Sequence, residues 1–145
     1  MRLLPLLFAL FMGHFLSAQT DAPSTAPTSD PTLRAATEAL VAKYSLNADQ
    51  AKQIYKIQQR KQSNMAEIAA LQNSDMALYQ AKLLNVQKGT WTSIRRVLKS
   101  KQQVAVYQKT QAELRRLRNA KRKELSAQKA PLVTVEAAVL AIYAE

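Results

Sequence analysis

After Pro31 the next proline is Pro131, and between them Gly89 is the only glycine. Glycine and proline are the strongest punctuation a sequence has, so a stretch this poor in both has few places to turn. No run alternates apolar and polar residues as a half-buried strand must, and Ala, Gln, Lys, Leu and Arg dominate. These features predict an all-α fold. A length of 145 residues fits one domain.

The first 18 residues differ from the rest. A short positive start (Met1, Arg2) precedes an apolar run from Leu3 to Met12, and a small residue, Ala18, stands before Gln19. This reads as a signal peptide cleaved after Ala18, which exports the mature chain. The alternative, a membrane anchor, needs more length: Leu3 to Leu16 would span about 21 Å as a helix, short of a hydrocarbon core of ~30 Å. The mature chain would keep 20 Lys and Arg against 10 Asp and Glu, a formal charge of +10. An exported chain does not ordinarily meet genomic DNA, so the expected anionic partners are protein surfaces, lipids or glycans rather than nucleic acid. No cysteine is present, which excludes disulfides and thiol chemistry.

Residues 19–30 are small, polar and Pro-containing, and read as a disordered linker. A helical domain is expected over 31–130. Asp30 and Pro31 make a helix start, with the first helix reaching about Tyr44. Asn47 starts the second: Asn47-x-x-Gln50 is a capping-box variant, and the helix is expected to reach Gln72 or Asn73. Ser74 or Asp75 caps a third, for which Gly89 is the expected terminator. A fourth, from near Thr90 or Thr92, meets no breaker before Pro131. If residues 91–128 are continuous they extend about 57 Å at ~1.5 Å per residue, which predicts an elongated or curved molecule of about four long helices. Residues 131–145 form a tail, read as a short docking helix with Thr134 as cap. Narrow apolar stripes on long helices leave area that a homodimer or a client would cover.

A shift of 52 residues aligns LNADQAKQIYKIQQ, at 46, with LKSKQQVAVYQKTQ, at 98. Leu46 then matches Leu98, Gln50 matches Gln102, and Tyr55 matches Tyr107. This double L-x-x-x-Q pattern, in a small basic helical chain behind a signal peptide, resembles the Spy/CpxP family of periplasmic proteins with its LTxxQ motif. Asn47 stands in the Thr position of the first copy and Lys99 in that of the second. The resemblance covers roughly residues 46–125. It implies an antiparallel homodimeric cradle whose concave face holds partly unfolded proteins without ATP, with relatives that modulate envelope stress or sense metals.

Arg95 to Lys123 contains eleven basic residues against one acid, Glu113. Such a run is either a solvated helix face or a field that steers anionic and unfolded chains. On the second reading Arg95, Arg96, Arg115, Arg116, Arg118 and Arg122 steer the client, while Ile57, Met65 and Ile68 supply apolar contact. The same isoleucines and methionine also fit a core stripe, and Trp91 a packing anchor. The only His lies in the expected signal peptide and there is no Cys, so neither a transition-metal site nor a cofactor is expected. No nucleophile-base pair, acidic pair or phosphate loop is evident, and the chain is expected not to be an enzyme. The expected function is that of an ATP-independent chaperone. The alternatives are an adaptor docking on an acidic sensor domain of the envelope stress response, and a binder of anionic envelope surfaces.

Overall fold

The computed structural model describes residues 30–143. The expected signal peptide and residues 19–29 of the expected linker lie outside them. The described chain is all-α, without strands, in the order α1 (Pro31–Tyr44), α2 (Ala48–Ile68), α3 (Leu71–Ser74), α4 (Met76–Val97), α5 (Lys101–Ala127) and α6 (Leu132–Ala141). None of these helices is long and apolar enough to cross a membrane.

The starts follow from local chemistry. Asp30 accepts from the Thr32 amide, with Pro31 as the first helical residue. Gln62 of α2 also donates to the Asp30 carboxylate, and these bonds, Gln62 first, hold its pKa below the ordinary aspartate value. Asn47 and Gln50 form the full reciprocal box, and Asp75 caps α4 by accepting from the Leu78 amide. α1 closes with Ser45 in the left-handed region, φ 50°.

Three expectations are corrected. Gly89 does not end a helix: α4 runs through it to Val97, so the predicted start at Thr90 or Thr92 and the unbroken 91–128 rod are both absent. A glycine costs a helix about 1 kcal/mol relative to alanine. Here the buried Gln87, Trp91, Ile94 and Val97 hold the turns around it in place, and packing outweighs that penalty. The break falls instead at Leu98–Ser100, where Ser100 starts α5. The second helix stops at Ile68, ahead of the predicted Gln72, and a single separate turn, α3, bridges it to Asp75. α6 starts at Leu132, with Pro131 in the cap position and no side-chain cap, so Thr134 does not cap it.

A Cβ built on Gly89 meets nothing within 4 Å. Gly89→Ala is therefore expected to stabilise the protein by about 1 kcal/mol, raising the melting temperature by roughly 4 °C. Thermal unfolding followed by circular dichroism checks it; a lower melting temperature would refute the helical account of that turn.

α1 and α2 form an antiparallel hairpin, tied at its far end by Asp30 and Gln62. α2 and α4 also lie antiparallel, with Gln50 beside Val97 and Arg60 donating to Ser93. The core gathers where four helix ends meet: Leu40 and Tyr44 of α1, Ile54 and Ile57 of α2, Trp91, Ile94 and Val97 of α4, and Leu98. Val104, Tyr107 and Leu114 of α5 pack against it. From this end α4 and α5 diverge, and α6 packs on both, antiparallel to α5 through Arg122 and Glu136.

Candidate functional site

The two interhelical tips of the fold interlock. In the first, Asn47 and Gln50 exchange side-chain and backbone bonds at 2.9 and 3.1 Å. In the second, Ser100 and Gln103 do the same at 3.1 and 3.2 Å. The repeat therefore runs at a shift of 53 residues. Gln103, not Gln102, is the counterpart of Gln50, and Ser100, not Lys99, holds the cap position. Gln102 is exposed and Leu98 is a core residue, so the pairing of Leu46 and Gln50 with Leu98 and Gln102 is one residue out of register. The signal that finds the second box is the one that found the first: a capping residue followed three positions later by Gln.

Gln50 and Gln103 then meet. Their side-chain amides donate to each other at 3.1 Å in both directions. The second donor of Gln50 reaches the Val97 carbonyl at 2.9 Å, and that of Gln103 reaches the Ser45 carbonyl at 3.4 Å. Each glutamine thus starts its own helix and satisfies the tip of the opposite hairpin. Both are buried, and a buried amide with all its donors and acceptors engaged specifies one geometry. This joint orients α5, and with it the basic surface, relative to α1 and α2.

The arginines are dispersed by this frame. Arg96 and Arg115 are exposed and make no ion pair among the described residues, while Arg95 donates to the Leu98 carbonyl at the end of α4. Arg116 binds Glu113 with two bonds, 2.6 and 3.0 Å, which raise its pKa and lower that of Glu113 through the hydrogen bonds first and the charge second. Arg122 faces Glu136 of α6 at 3.3 Å. Arg118 is only 8% exposed and lies over the Tyr143 ring at 3.8 Å. It points inward, which corrects its expected steering role as a surface charge.

Ile57 and Ile68 are buried, so the apolar contact expected of them is not available at the surface. Met65 is half-buried and lines open grooves on both of its sides, one toward Leu33 of α1 and one toward Met76 and Leu83 of α4. A third groove, of about 320 Å³, lies between Lys43 of α1 and the α5 residues Val106, Lys109, Thr110, Glu113 and Leu114. An apolar floor with lysines at the rim suits a segment that is both apolar and acidic. Among the described residues no cluster of three or more His, Cys, Asp or Glu could hold a metal ion.

A family model described as a domain of unknown function (DUF4890) matches residues 18–133, which is 116 of the 145. The chain belongs to that family. The DUF4890 match takes in all five helices from α1 to α5, with both glutamine boxes, and ends at the start of α6. Searches of curated proteins and of solved structures gave no match.

Proposed function

We propose that this DUF4890 protein is an exported, ATP-independent chaperone that holds unfolded or aggregation-prone proteins on basic, groove-bearing helices. One observation carries the reading. α5 bears eight Lys and Arg against two Glu; of these, Lys101, Lys109, Arg115 and Lys123 are exposed and make no ion pair among the described residues, beside the apolar floor of Val106 and Leu114. Unpaired charge draws in an unfolded chain, and shallow apolar grooves hold it briefly.

The paired boxes support a Spy/CpxP-like arrangement of the domain. Ser100 is a hydroxyl cap in the position where the motif has Thr, and Gln50 and Gln103 stand where it has Gln. A curved homodimeric cradle belongs to the same reading, as does export, with a family match that begins at residue 18.

The test uses the chain from Gln19 onward, without ATP, at near-equimolar ratio to several unrelated aggregating proteins, with light scattering followed at low and high salt. Suppression across clients, at least ~5-fold weaker in high salt, is expected. Reversing Lys101, Lys109, Arg115 and Lys123 to Glu should abolish the salt dependence and most of the capture. Suppression of none of them would turn the assignment toward an adaptor with one envelope partner, sought as a complex of fixed stoichiometry.

A further inference from the structure

α6 is an unusual helix for the outside of a protein. Its sequence, LVTVEAAVLA, carries one charge, and Leu132 and Val133 at its start are 75% and 52% exposed. The buried face, Val135, Val139 and Leu140, contributes nothing to the main core, whose buried members all come from residues 40 to 98. From this end of the chain only Tyr143, just past α6, packs against that core, as a partly buried neighbour.

The seat itself is imperfectly filled. Open grooves of about 320 Å³ flank α6 on both sides, and Leu140 lines the two of them. Among the described residues three polar ties hold α6 and the turn that follows it: Gln80 donates to the Val133 carbonyl at 3.3 Å, Trp91 Nε1 to the Tyr143 carbonyl at 3.2 Å, and Arg122 pairs with Glu136. Between α5 and α6 the chain passes through Lys129 at φ 54°, a conformation that a residue with a side chain adopts at some cost.

Arg118 identifies what α6 fails to supply. Arg118 is buried with its guanidinium over the Tyr143 ring, and among the described residues its buried Nη1 has no hydrogen-bond partner. A buried guanidinium nitrogen that has no acceptor is under-satisfied, because the aromatic face replaces only part of the lost hydration. A carboxylate at that point would do better. We propose that the seat between α4 and α5 is a principal docking surface for clients and that α6 is its resident occupant. It yields to an apolar helical segment that places one carboxylate at Arg122, as Glu136 does, and a second at Arg118. This rests on the chaperone reading and deepens it by naming the surface and the segment.

Two measurements test it. The chain has no cysteine and a single tryptophan, Trp91, whose indole donates to the Tyr143 carbonyl just past α6. Gln80→Cys with Val133→Cys, joined by a short bismaleimide, locks α6 in place; the same variant capped with N-ethylmaleimide leaves it free. With a tryptophan-free unfolded client, the free form is expected to show a shift in Trp91 emission and capture at least ~10-fold tighter than the locked form. Equal capture by both forms would overturn the proposal while leaving the chaperone reading intact, and no capture by either would remove both. With the wild-type chain, a fluorescent peptide of residues 131–143 carrying Tyr143→Glu should bind at least ~5-fold tighter than the unchanged peptide. The reverse order would overturn the role given to Arg118.

Discussion

Replacing Gln103 with alanine is expected to destabilise the protein by about 3 kcal/mol, because several buried partners lose their hydrogen bonds together. The Lys99 and Ser100 amides lose their acceptor, the Ser45 carbonyl loses a donor, and Gln50 loses the other half of its amide pair. For a domain of this size the melting temperature should fall by roughly 12 °C. Gln102→Ala, one residue earlier and exposed, should change stability by no more than about 0.5 kcal/mol. Equal effects of the two substitutions would undo the 53-residue register. The Gln50→Ala and Gln103→Ala cycle should show a coupling of about 1 to 2 kcal/mol, since each variant already breaks the bonds that the other would remove.

Trp91→Ala should cost more, about 4 kcal/mol, the usual result of emptying a buried indole site. Its ring is 5% exposed and meets Tyr107 edge-on at a centroid distance of 5.8 Å, while the Trp91 carbonyl accepts from the Tyr107 hydroxyl. The indole also holds Tyr143. One substitution thus removes the ring against which Tyr107 of α5 packs and the donor that holds Tyr143. Chemical denaturation of the variant should show a lower midpoint, and Trp91→Phe should recover most of the loss in stability but not the tie to α6. A Trp91→Ala protein as stable as the parent would mean that the three helices are held elsewhere.

The parts of the fold legible in the sequence are those in which a helix start is written locally. Asp30-Pro31 and Asn47-x-x-Gln50 both stand where the rules of capping put them, and both helices begin there. What went unread needed tertiary information. Gly89 looks like a stop because nothing in the sequence around it shows that Gln87, Trp91 and Ile94 will be buried together. Leu98–Ser100 looks like the inside of a helix because Leu98 continues the apolar stripe; in the structure it packs into the core from an extended backbone, ψ 121°. Of the candidate site, the basic run was plain. Which arginines face water was not, since the placement of Arg118 depends on Tyr143, a residue 25 positions away that only the return of α6 brings over it.

The joint between the hairpins is made of two amides, two caps and backbone carbonyls, and none of these groups titrates. Its bonds are short-ranged and neutral, so neither a drop in pH nor a rise in ionic strength acts on it directly. The charges of α5 are the opposite case, exposed and open to screening. A change of medium can therefore strengthen or weaken the field of this surface while the scaffold that displays it keeps its shape.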